Sequence, residues 1–376
     1  MSAPLVAIEH APRNGDLAPL MATLRERADR HEAQSRSPRT RELYAADLRD
    51  FTAWCRMVSL RPLPADAETV ALYITHLSSM LRSDGGARYK PSSIARKLAA
   101  IAAAHRDAGY ESPTTADRVR RVMAGIRRVG DSTVAMMWPL MTDDVRAIVL
   151  SMSHHTWPAG VKAARDTAAF VIGLESALRR SNVSALQTED VSLTEHGVRL
   201  EIRGSKTDQH GVGLPLTVPY GRHAVSCPAC AWVRWSRIVA EQDAGRDPMP
   251  LVLATAPAAN WEDVGHLCRS VDPGKLQSGR PAFRRVTAYG LVRADRIGGD
   301  GLYRALLARL EAIGRPTEHF GFHSLRTGFV TQARRNGASR RQVRLQTWHG
   351  SDARIDLYDR EFNPLAGGNA ATMIDL

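Results

Sequence analysis

Apolar positions along this chain recur at a helical period in one long block and at mixed periods in a second. In the first block, Leu43, Tyr44, Leu48, Phe51, Trp54 and Cys55 follow Ser37-Pro38-Arg39-Thr40, a segment suited to capping a helix start. A second helix is predicted over Ala67 to Leu81, carrying Val70, Leu72, Tyr73, Ile74 and Leu77, and Gly85-Gly86 breaks it. A third follows Pro91-Ser92-Ser93, with Ile94, Leu98, Ile101 and His105, and stops at Gly109. A fourth spans Thr115 to Val129, with a cationic side of Arg118, Arg120, Arg121, Arg127 and Arg128. Together they predict a compact four-helix domain over 37–130. Before it, residues 1–36 read as a flexible arm with a short helix near Leu24-Arg25-Glu26-Arg27; after it, 131–140 reads as a linker, entered through Gly130-Asp131-Ser132-Thr133.

The second block, 141–365, mixes helix and strand. Thr142-Asp143-Asp144 predicts a helix start and Arg165 to Leu178 a further helix. Val198 to Ile202 alternates as a strand, and Gly211 to Val218 returns as its partner, with Gly204-Ser205-Lys206-Thr207-Asp208 as the hairpin between them. Residues 254–280, rich in Ala, Pro and Gly, read as loop, and the remainder as helix. A tail, 366–376, holds Gly367-Gly368 and the apolar Met373, Ile374 and Leu376, enough to dock on a surface in cis or on a neighbouring protomer. The expected fold class is mainly α with a small β-sheet, in two domains, which 376 residues accommodate.

Charge changes the picture more than composition does. The formal net charge is +12, carried mostly by arginine, the better bidentate partner for phosphate, so nucleic acid is the first partner class to consider. The first 42 residues lack a charged segment followed by an apolar one, and no run reaches the roughly 18 apolar residues of a membrane span. A cytoplasmic, nucleoid-associated protein with no membrane partner is expected. The four cysteines, Cys55, Cys227, Cys230 and Cys268, suit a reduced compartment. Cys227-Pro228-Ala229-Cys230 has the spacing of half a zinc site, with His210 and His223 nearby. Zinc takes about four ligands, and Cys55 and Cys268 form no second pair, so a helix start before Trp232 is the reading taken, with no metal and no cofactor expected.

Cleaving a phosphodiester requires a nucleophile, cations on the non-bridging oxygens and an acid for the departing oxygen. Arg179 and Arg326 are candidates for the cations. His323 lies three residues before Arg326, on the same side of one helix. Tyr358 offers a phenolate, whose reference pKa of about 10 calls for cations or a base nearby. Lys206, in a hairpin, offers a proton. Taken singly, each residue has a plainer role: a carbonyl-capping or solvated arginine, a packed histidine, a half-buried tyrosine, a surface lysine.

Their order and spacing resemble the tyrosine recombinase, or phage integrase, family. Ala177-Leu178-Arg179-Arg180-Ser181-Asn182-Val183-Ser184-Ala185-Leu186, followed by Asp190-Val191, resembles the family's first box, with its arginine at Arg179. Lys206 matches the hairpin lysine, and His323-Ser324-Leu325-Arg326 is similar to the His-x-x-Arg box. His349 lies nine residues before Tyr358, as the family's second histidine or tryptophan does before its nucleophile, although the adjacent Trp348 is an alternative for that place. The four-helix unit looks like the family's core-binding domain, so the resemblance covers about 37–365.

The resemblance implies that Tyr358 attacks a DNA phosphate, leaving a 3′-phosphotyrosyl bond and a free 5′-hydroxyl. Arg179, Arg326 and His349 would stabilise the pentavalent phosphate, His323 would act as acid and base, and Lys206 would protonate the leaving oxygen. No metal or ATP would be consumed. The partners implied are double-stranded DNA clamped between the two domains, a homo-tetramer on paired sites, and an accessory directionality factor. An integrase of a mobile element is the expected function; a dimer resolvase, a relaxing topoisomerase or a catalytically silent DNA-binding protein are its rivals. Asn182 leans toward the last, because the family commonly has an acidic residue there.

Overall fold

The computed structural model of the chain describes residues 17–34, 36–130, 137–203, 214–348 and 351–363. It divides into two compact units, Met1–Val134 and Ala135–Leu376.

The first unit holds helices α1 (Leu17–Gln34), α2 (Pro38–Met57), α3 (Ala67–Ser79), α4 (Pro91–Asp107) and α5 (Asp117–Val129). Helix α1 occupies half of the segment read as an arm, and residues 1–16 lie outside the described ones. Ser37 caps α2 by accepting from the Thr40 N–H at 3.2 Å, and Asp66 caps α3 by accepting from Thr69 at 2.6 Å. Within α3, Val70, Tyr73, Ile74 and Leu77 follow the i, i+3, i+4, i+7 stripe and are buried, whereas Leu72 falls off the stripe and is 46% exposed. They pack with Phe51, Ile94, Ile101 and Val119 into one core. Helices α2 and α4 are further joined by the buried Lys97, whose Nζ reaches Asp47 at 3.0 Å and Asp50 at 2.7 Å. A buried ammonium is tolerated only when paired in this way.

In the second unit, α6 (Thr142–Leu150) begins where the capping signal placed it, with Asp144 Oδ2 accepting from the Met141 N–H at 3.0 Å. Helix α7 (Ala159–Glu175) is nearly all buried. It stops three residues before the expected Leu178, because Ala177 turns the chain with a positive φ of 51°. Helix α8 (Arg180–Ala185) leads into a three-stranded antiparallel sheet in the order β1-β2-β3, with β1 at Val191–Thr194, β2 at Gly197–Ile202 and β3 at Leu214–Pro219. The expected pairing of β2 and β3 is present, with Val198 opposite Val218 and Leu200 opposite Leu216. The hairpin between them, 204–213, lies outside the described residues.

After the sheet come α9 (Pro228–Asp243), α10 (Met249–Leu253) and α11 (Trp261–Val264). The region beyond residue 280 departs from the wholly helical expectation: β4 (Arg284–Val286) and β5 (Val292–Arg296) form a second antiparallel sheet. Gly290, at φ 85°, turns the chain between them, and so short a hairpin offers too few residues for a period to show. The unit ends with α12 (Gly299–Ala312), α13 (His323–Arg335), α14 (Arg340–Thr347) and α15 (Ala353–Phe362). Helices α7, α9, α12 and α13 share one large core, and a smaller cluster of Val330, Val343, Ile355 and Tyr358 joins α13, α14 and α15. The chain at Leu140 crosses α13 so closely that Gly328 leaves no room for a side chain. The tail, 366–376, lies outside the described residues. No helix among the described residues is long and apolar enough to cross a membrane.

Candidate active site

Arg326 sits one turn inside α13 and is 2% exposed. Its Nη1 donates to the Ala177 carbonyl at 2.7 Å and its Nη2 to the Thr347 carbonyl. Both acceptors sit where a helix has just run out. Ala177 follows α7 with positive φ, and Thr347 precedes Trp348, which closes α14 in the left-handed region at φ 50°. Carbonyls at helix ends have no partner within the helix, and here one planar guanidinium serves two of them. Arg326 thereby holds α13, the turn after α7 and the end of α14 in fixed relation. Arg179, half-buried, stands two residues beyond Ala177 in extended backbone at the start of α8.

His323 opens α13 and is exposed, so the two members of the His-x-x-Arg box differ sharply in burial although they share one helix. The His323 Nε2 lies 3.2 Å from the hydroxyl of Tyr358. The imidazole tautomer decides which of the two donates. Tyr358 is 7% exposed and packs with Ile355 on Val330 and Val343. Its helix is fastened to α13 by Arg334, whose Nε meets Asp359 at 2.9 and 3.2 Å, and by Arg335, whose Nε meets Asn363 Oδ1 at 2.6 Å.

The structure thus brings together His323, Arg326, Tyr358 and the turn that carries Arg179. Lys206 and His349 lie outside the described residues. Trp348, the alternative to His349, is half-buried and packs against the large core. The Asn182 side chain accepts from Ser181 Oγ at 3.3 Å.

Arg334-Arg335, Arg340-Arg341 and Arg344 read from sequence as contacts to DNA phosphate, and in the structure four of them also meet partners within the unit. Arg334 pairs with Asp359, Arg340 with Asp356 at 2.5 Å and Arg344 with Asp352 at 3.3 Å, while Arg335 holds Asn363. Four of the five arginines therefore hold the tyrosine-bearing segment 352–363. Their acidic partners are 8 to 25 positions away, where no helical spacing rule connects them.

Sequence reasoning also missed a cluster at the start of α9. Cys227 and Pro228 do begin a helix, as expected. The folded chain adds His266 and Cys268 to Cys227 and Cys230, with all four ligand atoms within 4.8 Å of one another. The missing second pair was His266-x-Cys268, which a search for cysteines alone passes over.

No family model matches the chain. It is 24% identical over 340 residues to an integrase/recombinase XerD homologue of Selenomonas ruminantium, covering 90% of this chain and 86% of that protein. Among solved structures, the Tn1549 transposon integrase in complex with transposon right end DNA superposes with a TM-score of 0.53 at 12% identity, over 92% of this chain and 96% of that one. A lambda integrase dimer bound to a core site gives a TM-score of 0.49 at 14% identity, over 94% and 83%. The Tn1549 likeness shows that the chain has the fold of a tyrosine recombinase, and both its similarity to the XerD homologue and the ordered boxes around Arg179, Arg326 and Tyr358 agree with that fold.

Proposed function

We propose that this protein acts as an integrase of a mobile element, with Tyr358 as the nucleophile of a 3′-phosphotyrosyl intermediate. The observation that carries the assignment is the 3.2 Å approach of the Tyr358 hydroxyl to His323 Nε2. A phenol must lose its proton to attack phosphorus, and an imidazole at hydrogen-bond distance is placed to take it and later return it. The oxygen of Tyr358 forms the new bond to phosphorus as the bond to the 5′-oxygen breaks. That oxygen leaves as a hydroxyl, with Lys206 as the proton donor. Energy of the broken ester is retained in the phosphotyrosine, so rejoining to the 5′-hydroxyl of a partner duplex draws on no ATP.

Arg179, Arg326 and His349 are the proposed stabilisers of the pentavalent phosphate. Arg326 additionally fixes the backbone on which Arg179 stands, through the Ala177 carbonyl. Exchange between two duplexes requires four active protomers, hence a homo-tetramer on paired sites, and an accessory factor would set direction. The helical unit, 37–130, would supply further contacts to double-stranded DNA through the arginines of α5.

Covalent trapping tests the assignment. The protein is incubated with nicked duplexes tiled from the DNA flanking its gene and resolved on denaturing gels beside Tyr358→Phe. An adduct with the wild type that disappears in the variant is the expected result. DNA binding without any adduct would overturn it in favour of a catalytically silent DNA-binding protein.

A further inference from the structure

The start of α9 and the segment that follows α11 form a cluster that recombination chemistry does not use. Cys227 immediately precedes α9 and Cys230 lies in its first turn. From the other side, Gly265 turns the chain at φ 77° and delivers His266 and Cys268. Cys227 and Cys230 are fully buried. The Cys230 sulfur lies 3.5 Å from the Cys268 sulfur and 3.5 Å from His266 Nδ1, and the Cys227 sulfur lies 4.0 Å from that of Cys268.

These separations match one ligand geometry. Tetrahedral zinc, with bonds of about 2.3 Å to sulfur and about 2.0–2.1 Å to nitrogen, sets its ligands about 3.8 Å apart for two sulfurs and about 3.6 Å for sulfur and nitrogen. A disulfide would need about 2.05 Å between sulfurs. Because all four atoms lie within 4.8 Å of one another, a contraction of about 1 Å or less closes the tetrahedron.

We infer that Cys227, Cys230, His266 and Cys268 bind one zinc ion in a closed, structural site.

The surroundings are those of such a centre. The Gly221 N–H points at the Cys227 sulfur at 3.4 Å, and a Cβ at residue 221 would meet the Cys227 Cα at 2.6 Å, so only glycine lets that turn close on the cysteine. Three thiolates and one dipositive ion leave a net charge of −1. Arg234, one helical turn after Cys230 on α9, supplies the opposite charge. Its guanidinium lies 3.4 Å from the centre of the Trp261 ring, and its Nη1 is buried with no hydrogen-bond partner among the described residues. Buried cations need a compensating charge, and the thiolate centre provides it.

With four protein ligands no position is left for water or substrate, so the ion fastens rather than catalyses. It ties α9 to a segment that has little regular structure of its own. Glu262 already begins this fastening, accepting from the Ala224 and Val225 N–H groups at 3.1 and 3.2 Å. The same segment runs on to residues 277–282, which bond to Leu186 and Thr188 just beyond the Arg179 box.

The test is metal content and spectroscopy of the full-length protein purified under reducing conditions. About one zinc per chain is expected, falling below about a tenth of that in Cys230→Ser and Cys268→Ser and unchanged in Cys55→Ala, since Cys55 belongs to the other unit. Cobalt loading should give the intense visible bands of a tetrahedral thiolate site, and a strong chelator should lower the melting temperature of the wild type. Should the ligand variants fail to fold, the wild-type metal content and cobalt spectrum still decide. Folded, fully reduced protein that retains no zinc and gives no tetrahedral cobalt spectrum would overturn the inference, as would a disulfide among Cys227, Cys230 and Cys268 in place of a metal.

Discussion

Replacing Asp359 with alanine should release the tyrosine helix while leaving the rest of the catalytic unit folded. Asp359 and Arg334 are 9% and 11% exposed, and Arg334 Nε reaches both carboxylate oxygens. Removing one partner of a fully buried pair costs about 3–5 kcal/mol. Arg334 keeps a second acceptor, the Ala338 carbonyl at 2.5 Å, so its guanidinium is not left wholly unpaired. We therefore expect a loss of about 2–3 kcal/mol, which raises the population of undocked α15 roughly 30- to 150-fold. Hydrogen exchange followed by mass spectrometry reads this directly: amides of 353–362 should exchange faster by that factor, and those of α7 should not change. Arg334→Ala should have a similar effect, and the double variant should lose little more than either single one. The reasoning fails if Asp359→Ala, still folded, exchanges over 353–362 within about threefold of the wild type.

Three further substitutions probe other parts of the fold. A Cβ at Gly328 would lie 1.8 Å from the Leu140 carbonyl oxygen, so Gly328→Ala should destabilise by about 2–4 kcal/mol in chemical denaturation. Gly125→Ala, where a Cβ meets nothing within 4 Å in the middle of α5, should instead be neutral or stabilising by up to about 1 kcal/mol. Burial holds His154 down to about 4, from an ordinary 6.5, so the folded protein binds this proton less readily than the unfolded chain. Its contribution is therefore complete above pH 6.5 and is lost as pH falls toward about 4, amounting to about 3 kcal/mol. His154→Gln should show a correspondingly shallower loss of stability across that window, and an identical slope would remove His154 from the account.

The helices of the first unit were legible because their information is local. A 3.6 period marks the buried stripe of α3, and Ser37 and Asp66 act on N–H groups three residues away. The β2–β3 pairing was legible for the same reason, as two alternating runs with a turn between them. Likewise, the order of the boxes around Arg179, His323, Arg326 and Tyr358 survives in the chain whatever its partners are, and it sufficed to point to the family. The short strands β1, β4 and β5 left too few residues for a period to rise above chance.

What the chain could not reveal by itself is which side chains meet across distance. Arg326 reads from sequence as a phosphate ligand, yet its hydrogen bonds also hold carbonyls 149 and 21 positions away. Four arginines that suggest a DNA-facing surface also meet Asp352, Asp356, Asp359 and Asn363 in the fold. Cys227 and Cys230 become part of a four-ligand cluster only when the turn at Gly265 brings His266 and Cys268 alongside. Sequence therefore determined the elements, their caps and the order of the chemical groups, through interactions within about a helical turn. The tertiary structure decided the partners, because burial and ion pairing depend on spatial neighbours that sequence separation does not encode.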